Sequence, residues 1–157
     1  MTITCAYDAL HEAVSGALAS AGFLFDKTLH RKPVAAMEID GLPGSVQTLA
    51  GLYEMRTPEP ERTLMGGPTP RYVVVQEFRL ELAAFGGEEH DWSARLASGL
   101  MAAASIVAGD ADLTLGGKCE RVEFAGAEPD DMPPDGMAQL ITYRLRVRSG
   151  DPLGQTP

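Results

Sequence analysis

The chain has 157 residues, of which 45% are hydrophobic and 22% charged, enough for one domain with one sizeable core. Its 22 acidic residues against 13 lysines and arginines give a formal charge of −9, which repels phosphate backbones and anionic membranes and argues against sequence-specific DNA reading. No apolar run approaches the roughly 18–20 residues that span a bilayer, and no basic N-terminal region precedes an apolar stretch, so residence in the cytoplasm is the expectation.

The first helix is expected over residues 5–21, where Leu10, Val14, Leu18 and Ala21 recur at helical spacing, with Thr4 as its cap and Gly22 at its end. After a connector ending in Lys27, His30, Arg31 and Lys32, Pro33 opens an extended run to Ile39, in which Ala35, Met37 and Ile39 alternate with polar or small neighbours. Gly41-Leu42-Pro43-Gly44 punctuates it, and a second strand follows over Thr48–Arg56 with Leu49, Gly51, Tyr53 and Met55 on one face. Residues 57–70 hold four prolines and two glycines and read as a long loop or an extended hairpin tip, a segment suited to ordering on assembly.

Tyr72–Phe85 carries the strongest period-two pattern: Phe78, Leu80, Leu82 and Ala84 face one way, Glu77, Arg79, Glu81 and Ala83 the other. The second helix is expected over Glu88–Ala108, with Trp92, Leu96, Leu100, Ala103 and Val107 on one stripe, acidic residues at its start and small residues over much of the rest. Strands over Lys118–Ala125 and Leu140–Arg148 follow, separated by an acidic, proline-rich bend from Glu128 to Gly136. In the last strand Ile141, Tyr143, Leu145 and Val147 alternate with Thr142, Arg144, Arg146 and Arg148. The expected fold class is α+β: one mostly antiparallel sheet of about five strands with two helices packed on one face, in the order α-β-β-loop-β-α-β-β. It forms a single domain over 1–148, with a loose, patternless tail over 149–157.

Candidate chemistry is sparse. His11, His30 and His90 are scattered and read as surface or partly buried structural histidines, without zinc-ligand spacing. The serines lack a strand-turn-helix glycine elbow, and the glycine-rich turns lack the lysine of a phosphate loop. Cys5 and Cys119 stand far apart without metal-ligand spacing, which favours a reduced pair and leaves their pairing open. Arg144, Arg146 and Arg148 form a basic row read first as solvated charges or cross-strand partners of Glu77 and Glu81, and alternatively as a docking surface for an acidic patch on a neighbouring subunit. Glu128, Asp130, Asp131 and Asp135 read as a solvated acidic loop, or as part of a negatively charged lumen. Trp92 is expected between helix and sheet. The reading is of a protein that is not an enzyme and needs no cofactor or metal.

The phrase Asp112-Leu113-Thr114-Leu115-Gly116-Gly117, standing between the second helix and the strand Cys119–Phe124, resembles the tail-terminator proteins of long-tailed bacteriophages and related prophages. Val74–Gly86 and Ile141–Arg148 resemble that family's preceding and last strands. In this phrase Leu115 can plug the core and Gly116 or Gly117 can take the angles of a sharp turn.

The resemblance implies a homo-oligomeric ring, usually a hexamer, at the head-proximal end of the tail tube in the virion. Such a ring stops tube growth and offers a docking surface to the head–tail connector proteins, with the major tail tube protein below it and DNA passing through the lumen without sequence-specific binding. Glu59, Glu61 and Arg62 in the loop, with Arg144, Arg146 and Arg148, are then the expected interface residues. The other expectations held open are another neck, head–tail joining or tube-like virion protein and, from a different class, a small-molecule-binding α+β domain.

Overall fold

The computed structural model describes residues 1–24, 27–34, 47–87, 89–130 and 136–157. Helix α1 (Ile3–Ser20) starts at Thr2, whose hydroxyl oxygen accepts the Cys5 N–H at 3.2 Å, rather than at Thr4. The earlier start adds Ile3, and Ala6 joins it in the buried stripe of Leu10, Val14 and Leu18. Gly22 ends the helix at φ +69°, and the Phe23 N–H turns back to Leu18 O at 2.9 Å.

Five strands form one sheet: β1 (Gln47–Glu54), β2 (Glu59–Leu64), β3 (Arg71–Phe85), β4 (Arg121–Asp130) and β5 (Gly136–Ser149). Their order is β1-β3-β5-β4, every strand pair is antiparallel, and β2 shares the outer side of β3 with β1. β1 lies opposite Phe78–Phe85 and β2 opposite Arg71–Val75. The long inner pair β3–β5 is in register from Tyr72↔Ser149 to Phe85↔Gly136, which sets Glu77 directly across from Arg144.

Two boundaries differ from the sequence reading. Residues 59–64, expected in a long loop or an extended hairpin tip, form β2 of a hairpin with β3: on an edge strand a proline costs little, and the register shifts between Pro60 and Arg62. The glycine- and proline-rich stretch 65–70 is the hairpin tip. β4 runs to Asp130 instead of stopping at Ala125, because a bulge at Gly126 (φ +152°) absorbs the glycine, so Glu128 and Asp130 lie in a strand. The strand expected over Ala35–Ile39, with Gly41–Gly44 after it, lies outside the described residues, as do Asp131 and Asp135.

Helix α2 (Glu89–Ser105) packs beside α1 on one face of the sheet. Phe78, Leu80, Leu82 and Ala84 of β3 and Ile141, Tyr143, Leu145 and Val147 of β5 all face the helices and are fully buried. Each large side chain so buried stabilises the fold by about 1.5–3 kcal/mol. Trp92 and Leu96 reach this core from α2, and the Trp92 indole N–H donates to Gly86 O at 2.5 Å. The Tyr143 hydroxyl, buried among apolar groups, donates to Ala103 O at 2.5 Å. Gly99 lets α2 approach the sheet: a Cβ there would stand 2.7 Å from the Phe23 ring.

The C-terminal segment is tied down. The Asp151 carboxylate accepts the N–H groups of Leu153 (2.7 Å), Gln155 (2.9 Å) and Thr156, and Gly154 O accepts the Ile3 N–H at 2.7 Å. A helix N-terminus leaves backbone donors without partners, and the tail supplies an acceptor for one of them.

Candidate functional site

Turning from the helices, the sheet presents its other face, and there the alternation that buries every second residue lines up charges. The arginine row of β5 sits at its centre. Arg144 reaches Glu77 on β3 at 3.0 Å and Glu123 on β4 at 3.8 Å. Arg146 makes a two-pronged contact with Glu61 of β2, 2.9 Å from Nε and from Nη2, and a third bond to Glu123 at 2.8 Å. Arg148 pairs with Glu120 at 3.2 Å. The result is a cross-strand lattice spanning four strands, in which each guanidinium is matched by carboxylates of its own chain.

Electrostatics follow the geometry. The hydrogen bond from Arg146 holds the Glu61 carboxyl below its ordinary range, and Glu61 in turn favours the charged Arg146. Glu81 behaves differently. Instead of pairing with an arginine of the row, its 6%-exposed carboxylate accepts the Val34 N–H at 3.2 Å and the Tyr53 hydroxyl at 3.3 Å, and burial pushes its pKa up. It borders a small apolar cluster of Val34, Leu49, Ala83, Phe85 and Ala138 on this same face.

The expected interface residues therefore come together, but mostly with one another. Glu59, Glu61, Arg144 and Arg146 line a shallow cleft of about 270 Å³ where β1 bends into β2, and Arg56, Thr57 and Glu77 complete it. Glu61, Arg62 and Arg146 border a second, more open depression with Glu120 and Arg121. Arg148 stands apart, beside the hairpin tip with Arg71. The sequence reading missed Glu123, which bridges Arg144 and Arg146, and Glu120, which pairs with Arg148. Their signal was the polar alternation of β4, visible once Arg121 and Glu123 are assigned to one face.

The second element is the turn from α2 into β4. Asp112 Oδ1 accepts the Thr114 N–H (2.9 Å) and hydroxyl (2.6 Å), Oδ2 accepts the Gly116 N–H (2.8 Å), and Thr114 Oγ1 accepts the Gly117 N–H (3.0 Å). These bonds, led by the Thr114 hydroxyl, hold the Asp112 pKa below the ordinary aspartate range. Leu115, Gly116 and Gly117 all have positive φ, at 51°, 70° and 79°, so both glycines are required by the backbone and Leu115 joins them. Leu113 and Leu115 pack against the core, and Leu113 O accepts the Val122 N–H at 2.8 Å, fastening the turn to β4.

Other candidates resolve as structural groups. His11 Nε2 lies 2.7 Å from Leu29 O, which can only accept, so that nitrogen carries the proton, and burial lowers the pKa of the ring. His30 bridges its backbone to β1, and the side chain of His90 lies outside the described residues. Cys5 is exposed and Cys119 buried, both as free thiols, and burial pushes Cys119 up to about 11. Among the described residues no group of three or more histidine, cysteine, aspartate or glutamate side chains is placed to hold a metal, and no helix is long and apolar enough to cross a membrane. No family model and no curated protein sequence matches this chain.

Proposed function

We propose that this protein is a structural assembly subunit, a tail-terminator component that closes into a ring of identical copies on the head-proximal end of a phage tail tube. The observation that carries the reading is the Asp112–Gly117 turn standing between α2 and β4, in a fold with both helices on one face of an antiparallel sheet. That order and that phrase are what resemble the tail-terminator family. The main cleft on the charged face is shallow, and Glu61, Glu77, Arg144 and Arg146 of its lining are already held in ion pairs, an arrangement suited to contact rather than to turnover. In this role the ring binds the tail tube protein on one side and the head–tail connector proteins on the other, and the free energy comes from interfaces completed at the tube end.

Depletion of the protein during phage assembly tests the reading. Tails of uncontrolled, excessive length are the expected result. Filled heads lacking tails, with no overlong tubes, would instead assign it to a head–tail joining step. Normal particles would remove it from assembly altogether.

A further inference from the structure

Residues 27–34 wrap the outer edge of β1 from one face of the sheet to the other. Leu29, 3% exposed, sits in the core beneath the helices, whereas Val34, 1% exposed, belongs to the small apolar cluster on the charged face. Between them His30 crosses the edge itself. Its N–H donates to Ala50 O at 3.1 Å and its carbonyl accepts the Leu52 N–H at 2.8 Å, so it lies on β1 as a single parallel rung. Two backbone hydrogen bonds make only a modest net contribution, and side chains must supply the rest of the hold.

Each end of the segment is fastened by a titratable side chain. On the helix side, His11 of α1 donates from Nε2 to Leu29 O at 2.7 Å, and its ring stands edge-on to Tyr7 with 6.3 Å between centroids. Tyr7 stacks on Phe78, donates to Leu52 O at 2.5 Å and carries the Arg31 guanidinium 4.8 Å over its ring, while Arg31 pairs with Asp8 at 2.9 Å. On the charged face Glu81 accepts the Val34 N–H at 3.2 Å. The two fasteners answer acid in opposite senses. Burial lowers the His11 pKa, and Arg31 on the segment adds to this, whereas the bond to Leu29 and the Asp8 carboxylate on α1 work against it. Glu54 of β1 acts on the adjoining Tyr7. Glu81, with Tyr53, Asp130 and Arg79 around it, is pushed up by burial, so a proton relieves the charge it holds away from water.

We propose that residues 27–34 are a pH-sensitive strap over the β1 edge, held at Leu29 by neutral His11 and released at that end when the ring takes up a second proton. With the strap seated, His11 binds that proton less readily than an ordinary histidine; with the strap off, water reaches the ring and the ordinary value returns. Its contribution is therefore fully present above the ordinary histidine range and is lost as pH falls through the lowered value. Glu81 keeps the Val34 end seated as pH falls, so the strap opens from one side. Opening frees Ala50 O and the Leu52 N–H, backbone groups through which a sheet edge takes on a further strand.

Hydrogen exchange of the full chain, read by mass spectrometry and corrected for the intrinsic effect of pH on exchange, tests the strap. Between about pH 7.5 and about pH 5, protection over 27–34 and 47–54 should fall by about threefold or more, while β3 and β5 keep theirs. The variant His11→Gln keeps an N–H for Leu29 O but cannot take up a proton, so its protection in those segments should not change with pH. Level protection in the wild type, or a loss that His11→Gln shares, overturns the proposal. NMR of the wild type decides the matter without the variant: the His11 ring and the Leu52 amide should titrate with one midpoint, and separate midpoints overturn it.

Discussion

The two faces of one sheet are held by different physics, although the same two strands build both. On the helix side, β3 and β5 bury Phe78, Leu80, Leu82, Ile141, Tyr143, Leu145 and Val147 completely. On the other side the same strands set Glu77 and the arginine row into a lattice with Glu61, Glu120 and Glu123, partly open to water. Apolar burial is non-directional and worth kilocalories per side chain, whereas ion pairs that water still reaches contribute a few tenths to about one kcal/mol each. The helix side therefore sets stability. The charged side holds its arginines and glutamates in matched pairs across four strands.

The largest effect that would sharpen this contrast is Ile141→Ala, which empties space beneath both helices. It should lower unfolding free energy by about 2–5 kcal/mol, read by urea denaturation, and a loss below ~1 kcal/mol would mean that the helix side is less tightly packed than it looks. Next in size is Arg146→Met on the opposite face, which removes the partner of Glu61 and Glu123 while keeping the apolar stem. The expected loss is about 1 kcal/mol or less, shrinking as salt rises; a loss matching that of Ile141→Ala would break the comparison.

The smallest effect is expected at Asp112→Asn in the exposed turn. Hydrogen bonds from Thr114 and Gly116 depress the Asp112 pKa in the fold, so its stabilisation is present above the ordinary aspartate range and is lost as pH falls through the folded value. The melting-temperature gap between wild type and variant should thus be open at neutral pH and close only as pH falls below the ordinary aspartate range. A gap that stayed constant with pH would assign the turn's stability to its backbone angles alone.

Period-two alternation in β3 and β5 was sufficient to assign their faces, because a strand with one covered side has only one register that hides its apolar set. The stripes of α1 and α2 were readable for the same reason at helical spacing. The strand β2 was not, since Pro60 and five exposed positions out of six erase the alternation; only its pairing with Arg71–Val75 of β3 makes it a strand. The tail was equally silent, because what holds it is the Asp151 carboxylate, the Ser149 hydroxyl and Gly150 N–H on Thr156 O, and an N-terminal backbone donor far away in sequence.

The candidate interface divides along the same line. That Arg144, Arg146 and Arg148 share one face follows from the alternation of β5 alone. That they are already matched depends on which strands flank β5 and β3. The order of residues fixes local period and therefore which side chains share a face. Strand order and register, set by the whole core at once, decide which charges become neighbours.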